Sequence, residues 1–211
     1  MAKLKKEFIC QNCGVSSPNW VGKCGSCNEW NTYVEEIIEK KKASEVPAWV
    51  ETEKPHRGAK VHLISELEQS EEQRIACNDQ ELNRVLGGGI VRGSLVLLGG
   101  EPGIGKSTLL LQLALQIDER VLYVSGEESA QQLKMRADRI GIQNEDCHIL
   151  PSTDLNEIFR KVKEVKPDIL VVDSIQTLHS KVLESAPGSI SQIRECAGQL
   201  LRFSKENGTP V

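Results

Sequence analysis

The sequence is short of aromatic residues: three Phe, two Tyr and three Trp make up 4% of its 211 residues. Its core must therefore be built mainly from aliphatic side chains. It has no apolar run of the roughly 20 residues that a membrane-spanning helix needs. The basic start "MAKLKKEF" lacks the apolar stretch of a secretory signal. Charge of either sign is not in large excess, with a net charge of −4. A bulk electrostatic pull on nucleic acid or on an anionic membrane is thereby disfavoured, and any such contact must come from local patches. No internal repeat or low-complexity tract occurs. These absences fit a cytoplasmic protein without a membrane partner, long enough for one ordinary domain and a small module.

Cysteine, in contrast, is plentiful at the front. Cys10, Cys13, Cys24 and Cys27 follow the pattern C-x2-C-x10-C-x2-C. Each pair can fold as a knuckle that presents two thiolates, and two knuckles complete a tetrahedron suited to Zn²⁺. Iron without an inorganic cluster, two disulfides, or four free thiols are the lesser alternatives. Four thiolates leave no open position, so the site reads as structural, in a reducing compartment. Gly14 and Gly25 are expected to relieve the crowded knuckles. Trp20 and Trp30 either pack over the knuckles, the favoured reading, or stack on nucleic-acid bases. Lys3, Lys5, Lys6 and Lys23 suggest a modest positive bias. This module is placed at residues 1–36. Residues 37–60, with Pro47, Pro55 and the run Lys40–Lys42, read as a linker. Cys77, Cys147 and Cys196 match no metal spacing and read as small hydrophobes.

From residue 61 onward, strands and helices alternate. "SLVLLGG", "RVLYVSG", "HILPS" and "DILVVDS" read as short buried strands. Between them, "DQELNRVL" is a short helix capped by Asp79 and stopped at Gly87. "KSTLLLQLALQI" is apolar on nearly all sides and is expected to be deeply buried. "ESAQQLKMRADRIG" stops at Gly141. "DLNEIFRKVKEVKP" carries Leu155, Ile158, Val162 and Val165 at helical spacing behind an Asp154/Glu157 capping pair. A last helix spans about 189–206. The order implies an α/β domain, a parallel sheet with helices on both faces and its ligand site at the carboxyl ends of the strands.

"GGEPGIGKST" sits at one of those ends. Gly100-x-x-x-x-Gly105-Lys106-Ser107 is a complete Walker A pattern between a strand and a helix. Its glycines let backbone N–H groups turn inward around phosphates, and the following helix adds the positive end of its dipole. Lys106 is placed to reach the β- and γ-phosphates, Ser107 to ligate Mg²⁺, and Thr108 to bond the α-phosphate. Asp173 ends an apolar run as a Walker B aspartate does and would support the same Mg²⁺; a strand-end cap is the alternative. Ser174 follows it, so the Asp-Glu pair of the AAA+ type is missing and the catalytic acid must lie elsewhere. The strand after Walker A ends in Glu127 and Glu128. Glu127 is the preferred catalytic carboxylate, while Glu128 could instead begin the next helix.

An acid on the second strand, a Walker B run ending "DS" and the lead-in "ELNRVLGGGIVRG" together resemble the RecA-like ATPase core. With the four-cysteine knuckle in front, "GEPGIGKST", "YVSGEES" and "LVVDSIQTL" resemble the branch of that family that serves bacterial DNA repair. The resemblance covers essentially the whole chain. It implies that Gly100, Glu101, Pro102, Gly103, Ile104, Gly105, Lys106, Ser107 and Thr108 bind ATP or ADP. Asp173 would support Mg²⁺ and Glu127 would activate water, alongside Lys106. It implies a ring-forming, hexameric DNA-dependent ATPase that binds single-stranded and branched DNA and drives branch migration, with a recombinase or helicase as protein partner. "HSKVLESAPGSISQIREC" corresponds to a DNA-facing loop, read as mobile, and Arg136 is a candidate adenine contact or a solvated helix residue. The family pattern continues with another strand, a second DNA loop, a Lys-Asn-Arg-Phe-Gly motif and a Lon-protease-like domain. Residues 61–211 are thus read as a C-terminally incomplete ATPase domain. The competing readings are a nucleotide switch that acts on protein partners through the zinc module, and a relative of replicative helicases.

Overall fold

A computed structural model describes residues 4–39, 61, 63–66 and 74–211. The front module is a three-stranded antiparallel ribbon. Strand β1 (Leu4–Cys10) lies between β2 (Ser16–Ser17) and β3 (Tyr33–Glu39). The register runs from Leu4 opposite Glu39 to Cys10 opposite Tyr33. Pairing therefore carries β3 to Glu39, three residues into the stretch read as linker; the remainder of that stretch, Lys40–Lys42 included, lies outside the described residues. Cys10, Cys24 and Tyr33 are buried at its centre, with Phe8, Cys13 and Cys27 packed around them.

Each cysteine pair closes a similar turn. The Gly14 N–H donates to Cys10 O at 2.7 Å, and the Asn28 N–H donates to Cys24 O at 2.9 Å. Gly14 has φ +70° and Asn28 has φ +62°. The second knuckle thus puts its left-handed residue at Asn28, not at Gly25, because asparagine tolerates that conformation.

The second domain opens with the two-residue strand β4 (Arg74–Ile75), helix α1 (Gln80–Val85) and strand β5 (Ile90–Val91), which pairs antiparallel with β4. Asp79 caps α1 by accepting from the Leu82 N–H at 2.8 Å. Helix α2 (Lys106–Gln116), strand β6 (Val121–Ser125), helix α3 (Ala130–Ile140), strand β7 (Cys147–Pro151), helix α4 (Leu155–Val165), strand β8 (Ile169–Asp173) and helix α5 (Ile190–Asn207) follow in alternation. The strands form a parallel sheet in the order β7-β6-β8. Parallel neighbours need crossover helices, and these cover both faces.

Strand β6 shows how the two faces are sorted. Leu122 and Val124 join the α4 and α5 side with Leu155, Ile158, Phe159 and Phe203. Val121 and Tyr123 join the α2 and α3 side with Leu111, Leu115 and Leu133. A period of two on a strand buried on both faces gives this division. The α/β reading of the sequence is the architecture found.

Three local expectations change. Residues 94–98, "SLVLL", form no regular strand. They are held by the Val211 N–H donating to Ser94 O at 2.9 Å and the Val96 N–H donating to Val211 O at 2.8 Å. The Leu170 N–H donates to Pro210 O, so residues 210–211 lie between β8 and the 94–96 segment. This pairing is too short for a ladder, and Val96 and Leu97 are exposed. For the same reason α2 buries only Leu111, Ala114 and Leu115, and Leu109 is exposed. In α4 the buried stripe includes Phe159, and Glu157 accepts from Ser152 Oγ at 2.6 Å instead of closing a capping box. Asp154 still caps, accepting from the Asn156 N–H at 2.9 Å.

Phe159 is fully buried, 5.4 Å from the Phe203 ring. Phe159→Ala is expected to lower stability by about 3–5 kcal/mol. A loss below about 1 kcal/mol in denaturant melts would show that this face is not the core.

Candidate nucleotide site and metal centre

The four cysteines converge. All four Sγ atoms lie within 4.8 Å of one another. Cys10 Sγ is 3.7 Å from Cys27 Sγ, and Cys13 Sγ is 3.6 Å from Cys24 Sγ. Disulfide bonds need about 2.05 Å. Tetrahedral Zn–S bonds of about 2.3 Å put neighbouring sulfurs about 3.8 Å apart, which matches the set.

The surroundings favour the thiolate at Cys10 and Cys24, whereas at Cys13 the Val15 N–H is outweighed by burial and the three neighbouring thiols, which push it up to about 11. Burial opposes ionisation of Cys10, but the Thr32 hydroxyl 3.1 Å away and the N–H groups of Cys13 and Asn12 outweigh it, lowering the thiol to about 6. The Cys27 N–H is the main cause that lowers Cys24. Tyr33, hydrogen-bonded to Cys24, is itself raised to about 12 and stays a neutral phenol.

Trp20 and Trp30 do not pack over the knuckles: they are 55% and 66% exposed. Lys23 Nζ stands 5.6 Å from the centre of the Trp30 ring. The supposed positive bias is offset by Glu7, Glu29, Glu35 and Glu36, and Lys6 is paired with Glu35 at 2.6 Å. The other thiols behave as small hydrophobes. Cys77 and Cys196 are buried, and burial pushes Cys147 to about 11 and Cys196 to about 12.

In the second domain, the loop from Gly100 to Gly105 is exposed and delivers the chain into α2. Gly105 stands at the N-cap with φ +102°. The first turn of a helix leaves its N–H groups free to point out of the end. Lys106 Nζ donates to Gly100 O and to Glu101 O, each at 2.8 Å, so its ammonium lies along the loop.

Ser107 Oγ donates to Asp173 Oδ1 at 3.1 Å. Tyr123 OH donates to Asp173 Oδ2 at 2.8 Å. These bonds bring the start of α2 and the ends of β6 and β8 to one carboxylate. Burial, then the bond to Asp173, raises the Tyr123 phenol far above its ordinary value. Tyr123 was not singled out from the sequence. Its signal was a phenol within an otherwise aliphatic strand, because a buried hydroxyl needs a partner.

The two candidate acids part company at the tip of β6. Glu127 is exposed and accepts from Ser174 Oγ at 2.9 Å, beside Asp173. Ser174, read only as the residue that breaks an acid pair, therefore holds the acid on the adjacent strand. The peptide bond between Asp173 and Ser174 is cis. Glu128 turns the other way: its N–H donates to Ser125 Oγ and its carboxylate pairs with Arg136. Arg136 is thus neither a freely solvated helix residue nor a lone cation. Gly126 permits the close approach of the loop after β8, since a Cβ there would stand 1.9 Å from Thr177 Oγ1.

That loop is tied down, against the expectation of a mobile segment. Leu178 and Ser180 are buried. The His179 N–H donates to Thr153 O at 2.9 Å, and Lys181 pairs with Asp154 at 2.6 Å. Gln192, nearly fully buried, accepts from the Ser180 N–H at 2.8 Å. Its Nε2 faces Ser180 O, Leu183 O and Ser185 O at 3.2, 3.0 and 3.0 Å.

Comparison with known sequences follows the same two-part division. Residues 63–211 match the family described as an AAA domain, and residues 8–35 match the one described as a rubredoxin metal binding domain. The chain is 50% identical over its whole length to the DNA repair protein RadA of Bacillus subtilis. It is 46% identical to the protein of that name from Halalkalibacterium halodurans and 41% identical to that from Pseudomonas aeruginosa. It covers 46% of the length of each of these relatives. No helix among the described residues is long and apolar enough to cross a membrane. The phosphate-loop sequence ahead of α2, the carboxylate shared by Ser107 and Tyr123, and the matched span of 149 residues agree: this chain belongs to the AAA-domain family, with a four-cysteine metal ribbon at its front.

Proposed function

We propose that this chain is the nucleotide-binding part of a DNA-dependent ATPase of homologous recombination and DNA repair. Its substrates would be single-stranded and branched DNA, with branch migration as the work performed. The observation that carries the reading is the meeting of Ser107, Asp173 and Glu127 at the carboxyl ends of β6 and β8, next to the Lys106 loop. The names of the relatives carry the DNA-repair role. A hexameric ring in the longer protein and a recombinase or helicase partner belong to the same reading.

In this mechanism residues 100–108 wrap the phosphates with backbone N–H groups, and Lys106 turns from the loop carbonyls to the β- and γ-phosphates. Ser107 and Asp173 would hold Mg²⁺, which neutralises phosphate charge when bound. Glu127, oriented by Ser174, orients the attacking water and accepts its proton. Glu128 is engaged by Arg136 and takes no part in that step. In the ribbon, Zn²⁺ is the ion that Cys10, Cys13, Cys24 and Cys27 would hold, as a closed structural site.

A second reading, a nucleotide switch that acts on protein partners, draws on the outward-facing Trp20 and Trp30 in a ribbon rich in glutamate. DNA separates the two. In the full-length protein, single-stranded DNA is expected to raise ATP turnover, with binding that weakens as salt rises. No stimulation and no salt-sensitive binding would favour the switch.

Lys106→Ala is expected to abolish binding of a fluorescent ADP analogue while leaving the far-ultraviolet circular dichroism intact. Glu127→Gln should keep nucleotide affinity but lower kcat by about 10²–10⁴-fold. Glu128→Gln should retain turnover; the reverse pattern would exchange the two roles. Metal analysis should find one zinc per chain, lost in Cys13→Ser. A chelator should unfold the ribbon while the second domain still shows its own cooperative melting transition. Two disulfides found by mass spectrometry would refute the zinc assignment.

A further inference from the structure

Arg194 lies just over one turn into α5, on its exposed side, yet its guanidinium is fully directed. Nη1 donates to Gly14 O at 2.8 Å and Nη2 donates to Cys13 O at 2.6 Å. Both carbonyls belong to the first metal knuckle, 180 residues away in sequence. A planar fork that meets two adjacent acceptors is the geometry arginine supplies and lysine does not. Gly14 makes the approach possible, because a Cβ there would fall 2.1 Å from Nη1 and 2.4 Å from Cζ. The charge also agrees. Four thiolates around one Zn²⁺ carry a net charge of about −2, and the guanidinium stands beside them.

The same stretch of helix is committed on its inner side. Two residues before Arg194, Gln192 grips the backbone of Ser180, Leu183 and Ser185. The helix start is fixed by Ser189, whose side chain accepts from the Gln192 N–H. One turn of α5 therefore holds the metal knuckle on its outside and the loop after β8 on its inside. A single amide makes these four contacts, beside the Lys181–Asp154 pair and the Gln199 bond to Ser180 Oγ, so a shift of that turn disturbs the four together.

We propose that Arg194 docks the metal-loaded knuckle onto α5, and that through Gln192 this docking sets the conformation of the loop spanning residues 180–185. When the ribbon loses its metal, the two carbonyls lose their fixed positions and the turn loses its outer anchor. Arg194 is a positioning residue in this scheme and touches neither the metal nor a nucleotide. The inference is independent of the ATPase reading, because it is tested without nucleotide or DNA.

Amide hydrogen exchange of the intact chain, read by mass spectrometry together with zinc content, tests it. Arg194→Gln is expected to keep one zinc per chain while the 180–185 amides exchange about tenfold faster, the loss of about one charge-assisted interaction. Chelation of the parent chain should give the same acceleration, and chelation of Arg194→Gln should add nothing to it. Arg194→Lys should fall between. Unchanged loop exchange in Arg194→Gln overturns the proposal, as does an equal further acceleration when that variant is chelated. Should Arg194→Gln lose its metal, the chelated parent chain decides: faster loop exchange sustains the coupling, and unaltered exchange ends it.

Discussion

The parallel register of β6 and β8 is the constraint on which the nucleotide site depends. Ser125 stands opposite Asp173, so the strands end level and the residues beyond them share one edge. That alignment brings Tyr123 under Asp173 and Glu127 beside Ser174. A one-residue slip would send Tyr123 to the opposite face and break both bonds. The alignment is secured along the buried strand, by Leu122 and Val124 on one face and Val121 and the Tyr123 ring on the other. Core packing on two sides thus sets the placement of polar groups at the strand tips.

The ribbon works by a different economy. Its buried centre is little more than Cys10, Cys24 and Tyr33, too small to hold a fold without a cross-link. Metal ligation and the Cys10 O and Cys24 O turns supply what the core lacks. A small unit of this kind exposes side chains that a larger one would bury, and Trp20 and Trp30 follow that rule.

Much of this was legible in the sequence, and the reasons are local. The cysteine spacing, the Walker A pattern, the Asp79 and Asp154 caps, and the alternation of apolar runs each reflect chemistry within a few residues. What could not be read depends on partners distant in the chain. The "SLVLL" run has strand composition, but its pairing rests on residues 210–211. Polar composition suggested a mobile loop after β8, yet one buried glutamine, Gln192, fixes it from the following helix. Glu127 and Glu128 are neighbours with equal chemistry; Ser174 and Arg136, both supplied by the fold, distinguish them.

Asp173 has both of its oxygens occupied by hydroxyl donors, and one of these donors is a phenol sealed within the sheet. Burial holds the pKa of Tyr123 so far above its ordinary value that it keeps its proton across any physiological range. The phenol accordingly remains a donor to that aspartate oxygen, an anchor reaching the strand tip from inside the sheet.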